Sequence, residues 1–134
     1  MSEQVTADPR MIKNLAIARE VVEHMNTGAT DDGPIWAKHW SPDCVSVECD
    51  GSEYKGLEAI RAKCEKWMSE TTMHGFEIDG PYANGEGFSM KYTIDCESNV
   101  GAFPRMTMAE IATYTVENGK VVRETFMMEP MPGM

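Results

Sequence analysis

The stretch HWSPDCVSVECDGSEYKGLEAIRAKCEKW, residues 39–67, contains the patterns that decide the fold. In its "CVSVEC" part, Val45 and Val47 alternate with Ser46 and Glu48, which is typical of a half-buried β-strand. "DGSEYKG" is rich in turn residues, and "GLEAIRAKCEKWMSE" after it is an amphipathic helix. The apolar stripe of that helix is Leu57, Ile60, Cys64, Trp67 and Met68. The stretch therefore predicts a strand, a turn and a helix.

Two helices are predicted before this stretch. The first runs from Asp8 to His24, with Asp8 as the cap, Pro9 in the first turn and Gly28 after its end. The second is a short helix in "TDDGPIWAKHWSPD", which places Trp36 and Trp40 on one face and closes at residues 41–43.

Four strands are predicted after the third helix: a short one around 74–78 and long ones at 88–96, 107–116 and 121–128. "PYANGEG" and "ENGK" are turn patterns between them, and the second is a strong hairpin pattern. The order is helix, helix, strand, helix and then four strands. It predicts an α+β domain in which helices cover one face of a mostly antiparallel sheet.

Length and charge limit the class of protein. A chain of 134 residues suits one domain, residues 1–134, with a core of ordinary size. Twenty-two acidic against twelve basic residues give a formal net charge of -10, which disfavours nucleic acid and anionic lipid as partners. The opening "MSEQVTADPR" lacks the basic and apolar regions of an export signal, so we expect a cytoplasmic protein that does not bind membranes.

Metal and disulfide sites are not expected. The four cysteines, at positions 44, 49, 64 and 96, include no C-x-x-C pair, and most of them are interpreted as small buried apolar residues. His24, His39 and His74 lack the spacing of helical metal ligands. We therefore predict no metal and no cofactor.

The 39–67 stretch, together with "ENGKVVRETFMME" at 117–129, resembles the superfamily of nuclear transport factor 2, ketosteroid isomerase and SnoaL-like polyketide cyclases. The most telling parts are the aromatic residue with "SPD", the "KG-x-EAI" and the "NGK-V" hairpin, and the resemblance covers about 11–129. It implies an α+β roll of the cystatin-like kind, in which a cone-shaped, curved, mixed sheet wraps three N-terminal helices. It also implies a blind apolar pocket for a small hydrophobic, cyclic molecule, and a homodimer formed through the convex sheet face.

The resemblance also implies catalytic positions. The aspartate base of ketosteroid isomerases corresponds to Cys49, their tyrosine to Glu20, and their late-strand acid to Glu110 or Ala112. Only Glu110 could keep its role. In the related dehydratases a histidine base follows the third helix, which corresponds to His74, but its acidic partner corresponds to His24 or Asn26.

The residues themselves leave two readings of each candidate. Glu110 shares a strand face with methionines and Tyr114. Facing inward it is desolvated and suited to acid or base catalysis, and facing outward it forms a salt bridge at a dimer contact. His74 either abstracts a proton or is a hydrogen-bonded surface residue. Glu124 either faces inward or pairs with Arg123 or Lys120 on an exposed ladder, and we prefer the exposed ladder.

The residues expected to line the pocket are Trp36, Trp40, Cys49, Trp67, Met90, Tyr92, Met108, Glu124, Phe126 and Met128. For the aromatic residues among them, plain core packing is the alternative. Three functions stay open: an isomerase, cyclase or lyase that moves a proton through Glu110 or His74; a non-catalytic binding module with the same cavity; and a domain that mainly dimerises.

Overall fold

The computed structural model describes residues 8–130. They form three helices, α1 (Pro9–Asn26), α2 (Gly33–His39) and α3 (Leu57–Glu70), and six strands. The strands are β1 (Trp40–Val47), β2 (Glu53–Lys55), β3 (Thr71–Ala83), β4 (Gly87–Ser98), β5 (Met106–Glu117) and β6 (Lys120–Met128). The α+β class predicted from the sequence is confirmed.

The helix ends follow from local sequence. The Asp8 side chain accepts the backbone N–H of Arg10 at 2.8 Å, and Pro9 occupies the first turn of α1, as predicted. One boundary was predicted wrongly, because α2 ends at His39 and Trp40 is already the first residue of β1. Trp36 and Trp40 therefore do not share a helix face.

All six strands form one sheet in the order β2-β1-β6-β5-β4-β3. The β1–β6 pair is parallel and the other pairs are antiparallel, so the sheet is mixed and mostly antiparallel. Asn118 and Gly119, both with positive φ, form the two-residue turn between β5 and β6 that "ENGK" predicts. Two features differ from the prediction: β2 is an additional short strand within "DGSEYKG", and β3 has 13 residues rather than five.

The helices cover one face of this curved sheet, which we call the inner face; the opposite one is the outer face. Alternate residues of each central strand are buried against α1 and α3, as in Phe88, Met90 and Tyr92 of β4. Cross-strand register then lines up the inner residues in rows. One row runs Phe88, Tyr114, Glu124, Ser46 and Tyr54, from β4 to β2.

Candidate active site on the inner face

An ion pair lies on the inner face where α3 crosses β1. Lys63 Nζ donates to Ser46 Oγ and to Glu48 Oε1, both at 2.6 Å. It also lies 5.3 Å from the ring centre of Tyr54 and 4.9 Å from that of Phe126. Two acceptors and two aromatic faces compensate the ammonium for the water it loses, so a cation is stable in this half-buried position.

The orientation of β1 corrects the sequence analysis. Cys44 and Ser46 are fully buried on the inner face, and Val45 and Val47 are only half-buried. Cys49 lies beyond the end of β1 and is exposed, so the expectation that it lines the pocket is wrong. Alternation identifies a strand but does not say which of its two faces is inside, because outer faces also carry β-branched residues.

Of the inward and outward orientations considered for Glu110, the structure shows the inward one. It alternates with the buried Ala112 and Tyr114 on β5, and it is paired across the strands with Tyr92 on one side and Met128 on the other. Burial, and secondarily the charge of Glu48, raises the pKa of Glu110 to about 7, although the charge of Lys63 opposes the shift. Glu110 is therefore a carboxyl group that can give or take a proton near neutral pH.

Glu124 is a second such group, and our preference for an exposed ladder position was wrong. Its side chain is on the inner face of β6, only 6% exposed, beside Ser46 and Tyr114 in the cross-strand register. Burial raises the pKa of Glu124 to about 7, and Lys63 opposes that shift too. Lys120, one of the partners proposed for the exposed ladder, instead donates from its Nζ to the carbonyl oxygen of Lys38.

Two buried polar atoms, one on Glu124 and one on Trp40, lack hydrogen-bond partners in the described residues. Within residues 8–130, neither Glu124 Oε1 nor Trp40 Nε1 makes a hydrogen bond. The Trp40 indole lies within hydrogen-bonding reach of the Glu124 carboxyl and lowers its pKa, so the two groups are the nearest polar partners of each other. Each unsatisfied buried group costs on the order of 1–3 kcal/mol, so such a pair is unusual in a folded core.

Two tyrosines lie between the carboxyl groups. The hydroxyl oxygens of Tyr92 and Tyr114 are hydrogen-bonded at 2.6 Å, and the ring of Tyr114 stacks on Phe88 with the centres 4.8 Å apart. Burial raises the pKa of both phenols above the ordinary value, so both are neutral hydrogen-bonding groups at physiological pH. In the cross-strand register Tyr92 neighbours Glu110 and Tyr114 neighbours Glu124. The hydrogen-bonded tyrosines therefore connect the two carboxyl groups.

His74 does not reach this site. It lies at a bulge of β3, where it is exposed, and its Nε2 is 2.7 Å from Oε1 of Glu97. Glu97 alternates with the buried Cys96 and so belongs to the outer face. The hypothesis that His74 abstracts a proton inside the cone is therefore wrong, and the surface alternative describes it.

The other residues expected at the pocket divide into two groups. Trp36, Met90 and Tyr92 are buried in the core, and Arg61 covers the Trp36 ring at 5.2 Å. The rest are half-buried: Trp67 on α3 and three inner-face residues of β5 and β6, namely Met108, Phe126 and Met128. An open groove of about 260 Å³ is lined by the outer-face residues Lys91, Ile111 and Met127, together with Glu110 and Met128 of the same strands. The Glu110 side chain itself is half-buried.

Sequence reasoning missed several polar residues. Lys63 precedes Cys64, a residue of the apolar stripe of α3, and this position was the signal that could have placed Lys63 near the sheet. It was missed because charged residues next to an apolar stripe are usually solvated. Asp32 was also missed: burial raises its pKa, and its Oδ1 lies 3.3 Å from Nε2 of His24. Glu20, at the position of the isomerase tyrosine, instead binds Lys38 and His39 at the surface.

The described part of the chain shows neither a metal cluster nor a membrane helix. Across residues 8–130, no three His, Cys, Asp or Glu side chains are grouped to hold a metal ion. Among the same residues, no helix combines the length and the apolar character needed to cross a bilayer.

Comparison with known proteins gives one family. The model of the SnoaL-like domain matches residues 17–128. A candidate SnoaL-like polyketide cyclase from Mesorhizobium loti is 32% identical and superposes with a TM-score of 0.75, over 83% of this chain and 95% of that one. No curated protein matches the sequence.

Two more distant structures share the fold. A candidate SnoaL-like polyketide cyclase from Jannaschia is 13% identical, with a TM-score of 0.74 over 94% of this chain and 92% of that one. A candidate isomerase from Bacillus subtilis is 15% identical, with a TM-score of 0.65 over 92% and 91% of the two chains.

Proposed function

Because the chain belongs to the SnoaL-like domain family, we propose that it is an isomerase, cyclase or lyase that moves a proton on a small, apolar, cyclic molecule. The single observation that carries this proposal is Glu110, an inward-facing carboxyl group whose pKa of about 7 suits it to act as a base and then as an acid. Its partner strands carry Tyr92 and Met128, which would hold a mostly apolar substrate against it.

In the reaction that we propose, Glu110 as a carboxylate takes a proton from a carbon next to a carbonyl group. The electron pair of the broken C–H bond moves onto the carbonyl oxygen as an enolate. The protonated Glu110 then returns a proton to carbon. Lys63 supports the exchange from nearby, because its positive charge keeps the ionised form of Glu110 accessible in an otherwise dry place.

The test follows the α-hydrogens of 1-tetralone, a bicyclic ketone, in D₂O by proton NMR. We expect the protein to accelerate exchange for deuterium, and Glu110→Gln to lower the accelerated rate by about 100-fold or more. Glu77→Gln, an exposed acid on β3, is the matched control and should leave the rate unchanged. No acceleration over buffer, or an equal rate in Glu110→Gln, would refute the assignment.

A binding module without chemistry is the second candidate. The thioethers of Met90, Met108 and Met128 on the inner face support it, since methionine adapts to apolar ligands of different shape. Binding of 1-tetralone without any acceleration of exchange would favour this candidate over the enzyme.

We propose in addition that two copies of the chain associate through the outer face. Ile111 and Met127 are cross-strand neighbours there, and they are 44% and 58% exposed. Adjacent exposed apolar side chains on a sheet are typical of a protein interface. This association is compatible with either function.

A further inference from the structure

We propose that Lys63 is a second catalytic residue, which donates a hydrogen bond to the carbonyl oxygen of the ligand while Glu110 moves a proton on the neighbouring carbon. The inference rests on the proposed function, because it assumes that a cyclic ketone reaches the inner face. It goes beyond that function by naming the residue that holds the reacting oxygen and the group of the ligand that this residue recognises.

The first argument is the burial of Lys63. Every other lysine and arginine in residues 8–130 is exposed, whereas the side chain of Lys63 is only 15% exposed. Taking a charge out of water costs free energy, so lysine is rarely held inside a fold without a reason. The remaining exposure also means that solvent, and a ligand in its place, can reach this ammonium group.

The second argument is that Lys63 has a hydrogen-bond donor to spare. An ammonium group carries three N–H donors and no acceptor. Among residues 8–130, Ser46 Oγ and Glu48 Oε1 accept two of them, each at 2.6 Å. One N–H is therefore left for an oxygen atom of the ligand.

The third argument is the position of Lys63 relative to Glu110. Its Nζ lies 4.9 Å from the ring centre of Phe126 on β6. Glu110 is paired across the strands with Met128, two residues further along the same face of β6. Glu110 and Phe126 are therefore diagonal neighbours, with their β-carbons roughly 7–8 Å apart. A small ketone can present its α-carbon to Glu110 and its oxygen to Lys63 across this diagonal.

Other donors on the inner face are less accessible than Lys63. Trp40, Ser46, Tyr92 and Tyr114 are 4%, 0%, 4% and 2% exposed. The hydroxyl groups of the two tyrosines also bond each other. These four donors are neutral, so none of them offers the positive charge that Lys63 does.

The movement of charge in the proposed reaction favours this role. When Glu110 takes the α-proton, the electron pair of the C–H bond forms the carbon–carbon double bond of the enolate, and the π pair of the carbonyl moves to oxygen. The negative charge thus passes from Glu110 to the ligand oxygen. A preorganised N–H of Lys63 stabilises the charge where it develops, and its proton stays on nitrogen.

The experiment observes the carbonyl group of the bound ligand. The ¹³C NMR resonance of 1-tetralone, labelled at its carbonyl carbon, is recorded in complex with the protein at pH 9. A hydrogen bond from an ammonium group polarises the carbonyl, so we expect the resonance to lie further downfield in the wild type than in Lys63→Met. Lys63→Arg keeps a cation with N–H donors and should retain most of this shift. Lys66→Met, at an exposed position of the same helix, should retain all of it.

The exchange rate of the α-hydrogens gives a second measurement. At pH 9 Glu110 is largely ionised, since its pKa is about 7, so a loss of rate at this pH does not arise from its protonation. Removing one donor to a developing oxyanion should lower the rate at saturating ketone by about 100-fold or more in Lys63→Met. Tyr54→Phe, which removes the phenol O–H but keeps the ring beside Lys63, should retain both the rate and the carbonyl shift.

Other outcomes decide against Lys63. A wild-type complex whose carbonyl resonates where free 1-tetralone does in cyclohexane would refute the hydrogen bond without any variant. A resonance that is the same in Lys63→Met, or a shift that is lost in Tyr54→Phe, would refute it as well. In each case accelerated exchange by the wild type leaves the proposed function standing. If 1-tetralone neither binds nor exchanges faster than in buffer, the proposed function is refuted together with this inference.

Discussion

Lys63 and Glu48 form an ion pair of 2.6 Å that joins α3 to the end of β1. The pair adjoins Glu110 and Glu124, since both residues of the pair influence the pKa of each of these carboxyl groups, Lys63 lowering it and Glu48 raising it. Burial is the main cause of both raised pKa values, and the balance within this pair adjusts how much of each carboxyl group is ionised at neutral pH.

Removing the lysine should raise both pKa values. In Lys63→Met the attraction that favours the carboxylates is lost, and Glu48 stays behind uncompensated, so we expect the pKa of Glu110 and of Glu124 to lie above about 7. Carboxyl ¹³C NMR titration measures both values. Lys66→Met, an exposed position on the same helix, is the control and should change neither value. A pKa of Glu110 that falls in Lys63→Met would contradict the arrangement.

The proposed exchange reaction should depend on pH in one direction. Glu110 acts as a base only when ionised, and burial raises its pKa to about 7, so the rate should rise with pH through that value and stay level above it. Exchange of 1-tetralone between pH 5 and 9 measures the profile. The residual rate of Glu110→Gln should show no such step, and a wild-type profile that is flat across pH 7 would exclude Glu110 as the base.

Protein stability should depend on Glu124. Its folded pKa of about 7 lies above the ordinary value of 4.5 for a glutamate, so the folded state holds the proton more tightly than the unfolded chain does. The contribution of Glu124 to the free energy of unfolding is therefore fully present below about pH 4.5. This contribution, on the order of 3 kcal/mol, is lost as the pH rises through about 7.

Glu124→Gln should remove most of that loss. Gln cannot ionise, so the free energy of unfolding of the variant should exceed that of the wild type at pH 8 by up to about 3 kcal/mol, with a smaller difference at pH 5. Urea denaturation at both pH values measures it. Glu117→Gln, exposed at the end of β5, is the control. If the variant is less stable than the wild type at pH 8, the buried carboxyl group has a partner after all.

Self-association should depend on the outer face. Met127→Lys places a charge on the exposed apolar pair with Ile111, and we expect it to convert a dimer into a monomer, as measured by light scattering. Val100→Lys, which changes an exposed residue between β4 and β5, should leave the dimer intact. A wild-type protein that is monomeric at high concentration, or a Met127→Lys variant that still dimerises, would contradict this interface.

The elements could be predicted from sequence because their signals are local. Asp8 and Pro9 at the start of α1, the periodicity of α3 and the Asn118–Gly119 turn each act within a few residues. The start of β1 was missed because Trp40 follows a helical pattern without a break, while its pairing with Val121 across the sheet decides its conformation. Tertiary pairing here outweighs local preference.

The site was harder to predict because it depends on which face of each strand is covered. Glu110 was found through its methionine neighbours, but strand alternation did not decide the orientation of Glu124. In β1, alternation led to the wrong expectation that Cys49, rather than Glu48, lies on the inner face. Lys63 belongs to a helix and the carboxyl groups to strands far along the chain. Only the packing of α3 on β1, beside the parallel pairing with β6, brings them together.

The parallel pairing of β1 with β6 also sets an order of events during synthesis. Ser46 and Glu124 are neighbours in the sheet but are separated by most of the chain, so a nascent polypeptide that has left the ribosome as far as β5 still lacks the strand that flanks β1. Until β6 emerges, β1 presents an unpaired edge, which is a template for the wrong strand. Contacts of such long sequence separation slow folding, so this arrangement links the completion of the inner face to β6, the strand furthest along the chain among residues 8–130.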